Sequence, residues 1–374
     1  MQFYILVKRE WREDKLRIGV DVRMLKASGI GKVIENILIR MIPQKRGWEF
    51  FLIGKSDELS EMPFYSALNV HVIECDCPIY SVREQVVLPI KIPRKLDVFW
   101  SPHYNVPIFY NGQLIVTIHD LAHLALQDIN KTILKRIYAK FMYNVAAIKA
   151  KKIICVSNFT KSELIKYVPS VKKEKISVIY NGIDDKWKNA KKNKSPHDKP
   201  YFIYVGNIKP HKNLNRLIEA YKIVAGDIEQ DLILVGKKDG FITGVDSIEE
   251  AIIGYEERII FTGYVSDESL IQYVTNADAL IFPSLYEGFG FPPLEAMAAG
   301  IPVVASDIPS IVEMCGGRVV YINPYDINDI AEKIMCFKKK KISNDDFFCR
   351  FNWDEKTSTM IKIIENKCEK FEDK

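Results

Sequence analysis

Thirteen short runs rich in Val, Ile, Leu and Phe alternate along this 374-residue chain with longer stretches of helical spacing, and this alternation narrows the fold more than any other feature. The runs are 16–22, 49–53, 70–74, 98–101, 114–118, 152–156 and 176–179 in the first half, then 201–205, 232–235, 259–261, 279–281, 303–305 and 319–321 in the second. Strands that lie parallel need a crossover between them, and the usual crossover is a helix. Runs that are apolar throughout, with no apolar–polar alternation, suit strands buried on both faces, as in a helix-covered parallel sheet. Each half therefore predicts an α/β, doubly wound, Rossmann-like sheet.

Two sheets mean two cores, and a hydrophobic fraction of 48% supplies both. The expected divisions are a first domain over 1–183, a polar, lysine-rich and proline-punctuated linker over 184–200, and a second domain over 201–345. A last segment over 346–374 follows, helical from 351 to about 370, which in a two-domain cleft protein could cross back to the first domain. The opening residues, Met1 to Lys8, hold an apolar stretch of about five residues, shorter than a signal-peptide core. No apolar run approaches the roughly 20 residues of a spanning helix. Seven cysteines are scattered without zinc-like spacing, Cys75-Asp-Cys77 included. Together these fit a protein kept in a reducing cytoplasm. A net charge of +5 is too small to announce a nucleic-acid binder. The basic residues crowd between Lys131 and Lys152 and again at Lys172, Lys173 and Lys175. Either a solvated helix face or contact with an anionic membrane surface or lipid phosphate explains them.

Open α/β sheets bind ligands beyond the carboxyl ends of their strands, so the residues just after each strand carry the chemistry. Gly29-Ile-Gly31 follows the first strand and opens a helix, where glycine backbone can approach a phosphate or sugar closely; a plain turn fits as well. Thr117-Ile-His-Asp120 places His119 at a strand end, as a structural imidazole or as one that bonds a sugar hydroxyl. Gly206-Asn-Ile-Lys-Pro-His-Lys212 leads into a helix over 213–221. There Lys212, with Lys209 and His211 nearby, is placed to neutralise a leaving nucleoside diphosphate. Glu287-Gly-Phe-Gly-Phe-Pro-Pro-Leu-Glu295, continued by Ala-Met-Ala-Ala-Gly300, puts prolines in a helix's first turn and a glycine at its end. Glu287 then lies in the loop before the helix, within reach of a sugar. Glu295 lies in its opening turns, where it can accept both hydroxyls of a ribose or serve only the helix dipole.

The stretch from Glu287 to Gly300 matches throughout the signature of family 4 of the GT-B-fold retaining glycosyltransferases, a glutamate pair separated by seven residues in a Gly-Phe-Gly and Ala-Met-Ala frame. The chain resembles that family also at Gly29 to Gly31, Thr117 to Asp120, Cys155 to Glu163, Val178 to Asp184 and Gly206 to Asn213. The resemblance implies two Rossmann-like domains facing across a cleft. It implies that Lys212 binds the donor diphosphate, Glu295 the ribose and Glu287 the transferred sugar, and that His119 lines the catalytic centre. Gly29, Gly31, Gly206, Asn207, Lys209, Gly288, Phe289 and Gly290 complete the implied donor-binding set. It implies no metal and no cofactor, the nucleotide sugar being a substrate. The chain departs from the pattern where the family often carries arginine or threonine after the glycine and arginine before the lysine. Here these are Asn207 and His211, which leaves a second diphosphate contact open between Lys209 and His211.

The N-terminal pattern resembles bacterial mannosyl- and rhamnosyltransferases of polysaccharide assembly. GDP-mannose is accordingly the first donor expected, and a saccharide or lipid-linked saccharide at the inner membrane face the acceptor. A nucleotide-sugar epimerase or phosphorylase on the same fold, and a non-enzymatic sugar-binding protein, are the competing readings. The complete glutamate-pair frame speaks against the first two, and the absence of an export signal against the third.

Overall fold

The computed structural model describes residues 15–126, 133–236, 250–337 and 346–368. The opening residues, Lys131 and the expected helix end near 370 lie outside them. The chain forms two compact units. One holds the chain up to Val156, Thr160–Gly182 and the stretch from Asn352 on; the other holds Ser157–Phe159 and Ile183–Phe351.

The first unit is built on β1 (Arg17–Asp21), α1 (Ser28–Gln44), β2 (Glu49–Gly54), β3 (Val70–Glu74), α2 (Val82–Lys91), β4 (Val98–Ser101), β5 (Leu114–Ile118), α3 (Ile133–Lys149), β6 (Lys152–Cys155), α4 (Asn158–Tyr167) and β7 (Ile176–Val178). Its seven strands run parallel in the order β3-β2-β1-β4-β5-β6-β7. Ile18 of β1 sits opposite Phe50 of β2 on one side and Val98 of β4 on the other. The order reverses at β1, so right-handed crossovers place α1 on one face and α2 and α3 on the other. Leu88 and Ile92 accordingly share a core with Ala139 and Met142 of α3.

The second unit holds β8 (Tyr201–Val205), α5 (Leu214–Val224), β9 (Asp231–Val235), β10 (Ile259–Gly263), α6 (Asp267–Asn276), β11 (Ala279–Phe282), α7 (Phe291–Ala298), β12 (Val303–Ser306), α8 (Pro309–Cys315), β13 (Val320–Ile322) and α9 (Ile327–Met335). Its parallel order, β10-β9-β8-β11-β12-β13, repeats that of the first six strands of the other sheet. Strands β9 and β11 are buried along their whole length, as the uninterrupted apolar runs require. The topology is α/β of the doubly wound kind in both units, with reversal points between β1 and β4 and between β8 and β11.

One segment is held more firmly than its composition suggests. Residues 184–200 are no free connector. Asp185–Lys188 form a helical turn, Trp187 is buried, and His197 Nε2 lies 2.8 Å from Asp231 Oδ2 at the start of β9. One tryptophan and one histidine anchor a segment that lysines and prolines make look unattached. The last helix, α10 (Trp353–Cys368), belongs to the first unit. It buries Trp353, Met360 and Ile364 and pairs with α1 through Arg40–Asp354 at 3.0 Å and Lys45–Glu365 at 2.6 Å. No helix among the described residues is long and apolar enough to cross a membrane.

Candidate active site

In the second unit the residues after β8 and those after β11 are stitched together. Gly206 N–H donates to the Val235 carbonyl at 3.0 Å, which ties the end of β8 to that of β9. The chain then turns through a single 3-10 turn, Pro210–Lys212, and Asn213 takes a left-handed conformation with φ of 62° before α5 begins. Asparagine tolerates that region better than most residues. Its side chain uses the position: Nδ2 donates to the carbonyls of Pro283 at 3.0 Å and Pro324 at 2.6 Å, while Oδ1 accepts from Arg216 at 2.8 Å. Leu285 N–H donates to the His211 carbonyl at 2.7 Å. Asn213 and His211 thus fix the lysine between them against the loop after β11.

That lysine is the centre of the arrangement. Lys212 Nζ lies 2.6 Å from Glu287 Oε1 and 5.5 Å from the centre of the Phe282 ring. The two side chains retain 16% and 13% of their accessible surface, which is enough for a ligand to reach them. Burial and the Glu287 carboxylate both raise the phenol pKa of Tyr204 beneath them, so that group stays protonated. Asn207 is half-buried and Lys209 exposed on the same turn.

The loop from Glu287 to Gly290 is held from several sides. Ser157 Oγ donates to the Gly288 carbonyl at 2.6 Å, and Phe289 is buried against Phe291 and Phe351. Gly290 has φ of 90°, and a Cβ there would stand 2.5 Å from Ile311 Cδ1, so conformation and space both demand glycine. From this glycine α7 starts, with Pro292 and Pro293 in its first turn, where the missing N–H groups cost nothing. Glu295 follows one turn later and is buried. The structure thus gathers Gly206, Asn207, Lys209, Lys212, Glu287, Gly288, Phe289, Gly290 and Glu295 on the connections after β8 and β11.

Gly29, Gly31 and His119 belong to the other unit. Both glycines lie in the first turn of α1, and a Cβ on Gly31 would stand 1.9 Å from the Leu25 carbonyl oxygen. The turn folded over the helix start is sufficient reason for that glycine. His119 follows β5 directly, with Nε2 2.8 Å from the Pro102 carbonyl oxygen. A carbonyl only accepts, so Nε2 carries the proton. Burial, and next the Lys356 ammonium, hold the imidazole pKa down to about 4, which keeps the ring neutral with Nδ1 as its acceptor.

Two features of the first unit escape a reading by motif. Lys356 on α10 is buried, donates from Nζ to the Ile179 carbonyl at 3.0 Å, and is pulled down to about 7 by burial. Its spacing from Met360 and Ile364, four and eight residues on, is the signal that places it on the buried stripe. The second is a buried ionic cluster at the β1/β4 reversal point. Arg23 Nη2 lies 2.6 Å from both Asp21 Oδ2 and Glu84 Oε1, and His103 Nε2 lies 3.1 Å from Asp21 Oδ2. Burial works against ionisation of Asp21, but Arg23 and His103 outweigh it and hold that carboxyl below its usual range. In Glu84 burial prevails over the same arginine and the pKa is raised. Asp21, Glu84 and His103 have the donor set of a metal site, with ligand atoms within 4.8 Å of one another, a grouping no sequence motif announces. The Arg23 guanidinium supplies their positive charge.

With this geometry in view, the comparisons with known proteins are specific. Residues 185–348 match the family described as glycosyl transferases group 1, and residues 90–187 match glycosyltransferase family 4. The O-antigen chain mannosyltransferase RfbU of Salmonella typhimurium is 32% identical over 228 residues, covering 60% of this chain and 60% of that protein. O-antigen chain mannosyltransferase B of Escherichia coli is 26% identical over 260 residues, with 64% of each covered. The alignments therefore span about three-fifths of these relatives' own length. Among solved structures, Anabaena Alr3699/HepE in complex with UDP and glucose is similar with a TM-score of 0.71, at 19% identity, over 94% of this chain and 100% of that one. A glycosyltransferase from Rickettsia africae gives 0.71 at 18% identity, over 95% and 99%. At such identities the likeness is one of fold.

Proposed function

We propose that this chain, a member of the GT-B glycosyltransferases, moves a hexose from a nucleoside-diphosphate sugar to a saccharide or lipid-linked saccharide with retention at the anomeric carbon. The observation that carries this reading is the Lys212–Glu287 pair, 2.6 Å apart, which joins the turn after β8 to the loop before α7. A cation paired with a carboxylate at a strand end is poised for exchange. Diphosphate oxygens take over Lys212, and the released Glu287 carboxylate accepts hydrogen bonds from the sugar's hydroxyls. Charge then develops on the leaving diphosphate where a fixed cation awaits it, so no metal is required. Lys209, on the same turn, is the second cation. Glu295 accepts the ribose hydroxyls. His119, a neutral imidazole with Nε2–H engaged by Pro102, presents Nδ1 as an acceptor to a sugar hydroxyl. It acts as neither acid nor cation at neutral pH.

GDP-mannose is the proposed donor, because both curated relatives named above are mannosyltransferases of O-antigen chains. The proposed site of work is the inner face of the cell membrane. A thermal-shift panel of GDP, UDP, dTDP and ADP tests the donor, since a ligand that binds the folded state raises its melting temperature. A shift with GDP alone is expected, and a shift with UDP alone would overturn the mannosyl assignment. Slow hydrolysis of labelled nucleotide sugar tests the enzyme reading. A protein that binds donors and never turns one over is a binding protein instead.

A further inference from the structure

A surface helix of a globular protein normally has one apolar stripe, turned to the core, and a polar face outside. Helices α2 and α3 have two. On α2, Leu88 is buried, while Val82, Val86 and Ile90, spaced four residues apart, form an outward stripe that is 86%, 57% and 77% exposed. On α3, Ala139, Met142, Tyr143, Ala146 and Ala147 face the core, while Ile133, Leu134, Ile137 and Phe141 face out, with Ile133 77% exposed. Isolated exposed apolar residues need no explanation, but eight on two neighbouring helices, Ile148 at the end of α3 included, do. The helices are neighbours on one face of the sheet. Tyr138 of α3 donates to Asn105 at 2.6 Å, and Asn105 donates in turn to Glu84 of α2.

The charges between these side chains are of one sign. Lys135, Arg136, Lys140 and Lys149 lie on α3, which has no acidic residue. Arg83 and Lys91 lie on α2, whose single acid, Glu84, is buried against Arg23. Protein–protein interfaces are depleted in lysine at their core. Apolar side chains interleaved with lysine and arginine, and with no exposed acid, fit instead the boundary between acyl chains and anionic headgroups.

We infer that the α2–α3 face docks the protein onto an anionic lipid bilayer, with Val82, Val86, Ile90, Ile137 and Phe141 entering the headgroup boundary and Lys135, Arg136 and Lys140 meeting lipid phosphates. This deepens the reading of a lipid-linked acceptor, and rests on it for the purpose of docking though not for docking itself. The face lies on the sheet side that the crossovers after β3 and β5 cover, away from α1 and α10.

Sedimentation of the full chain with vesicles of phosphatidylcholine alone, and of phosphatidylcholine mixed with phosphatidylglycerol, tests it. Binding to the mixed vesicles is expected, with a steep loss at high salt. Lys135→Glu/Arg136→Glu should weaken that binding at least ~tenfold, since each cation near an anionic surface contributes about fivefold and the reversal removes two. Val86→Glu/Ile90→Glu and Ile137→Glu/Phe141→Glu should abolish it while leaving the melting temperature unchanged, because every altered side chain is exposed. Hydrolysis of a soluble nucleotide sugar should be the same in all these forms. Loss of hydrolysis in the unaltered protein would strike the enzyme reading and leave the vesicle result intact. Equal binding of the variants, or none by the unaltered chain, overturns the docking surface. So does a dimer in vesicle-free buffer that Ile137→Glu/Phe141→Glu dissolves, for then a second copy covers the face.

Discussion

The two sheets share one strand order and differ in what fills the point where it reverses. At β1/β4 the carboxyl ends carry Asp21, Arg23 and His103, buried with Glu84 into a closed cluster in which every charge has a partner. At β8/β11 they carry Lys212 and Glu287, one cation and one carboxylate that remain partly accessible. Identical topology thus produces a locked polar core in one place and an exchangeable pair in the other. Burial makes the difference. A buried ion pair is costly to form and costlier to break, whereas a pair that a ligand can reach trades partners at lower cost.

The largest difference between the two reversal points is expected at Arg23. Arg23→Met should leave Asp21 and Glu84 buried without their cation and cost about 3–5 kcal/mol of stability, read as a lowered denaturant midpoint. A variant as stable as the parent would mean that the cluster is not closed. Lys212→Ala should leave the midpoint nearly unchanged and reduce donor turnover roughly 10- to 150-fold, the loss of a charge-assisted contact of about 1.5–3 kcal/mol. The two substitutions together should dissociate stability from activity. Gly290→Ala forces a side chain into a left-handed turn against Ile311, and about 1–3 kcal/mol of destabilisation is expected, with turnover falling as the Glu287 loop shifts.

The remaining effect is one of pH. His119 is held near 4 against an ordinary value of 6.5, and Lys356 near 7 against 10.5. In both cases the unfolded chain binds the proton more tightly, so stability rises with pH from about 4 to 6.5 through His119 and from about 7 to 10.5 through Lys356. Lys356→Met should flatten the upper window and narrow the lower one, because the Lys356 ammonium is part of what holds His119 down. Chemical denaturation at a series of pH values reads both, and an unaltered slope above pH 7 would count against the burial of that ammonium.

Much of this was legible in the sequence, for a physical reason. Strands buried along their length, such as β5, β9 and β11, are written as nearly uninterrupted apolar runs, and the ends of all thirteen strands lie within two residues of those the runs mark. The frame from Glu287 to Gly300 is equally local, because a left-handed glycine, two prolines in the first turn and a buried glutamate occupy one loop and one helix. What stayed hidden depends on distance along the chain. Arg23 reaches Glu84 across 61 residues, His103 reaches Asp21 across 82, and Lys212 reaches Glu287 across 75. No periodicity reports such pairs. Gly31 shows the converse: a glycine after a strand suggests a ligand or a plain turn, and the close Leu25 carbonyl is a demand for glycine that only the folded chain reveals. Lys356 stood on an apolar stripe in plain view, but a lysine at such a position reads as an exposed one until its surroundings are seen.

The last helix has a consequence in time. Residues from Asn352 on complete the unit that the opening residues begin, while the stretch between 183 and 351 completes the other. During synthesis the second sheet has all its strands before the first has its final layer, and Arg40 and Lys45 of α1 wait for a helix not yet made. A premature stop near residue 350 would therefore damage the half of the protein made first, and a nascent chain arrested there should be protease-sensitive at its beginning and resistant in its middle.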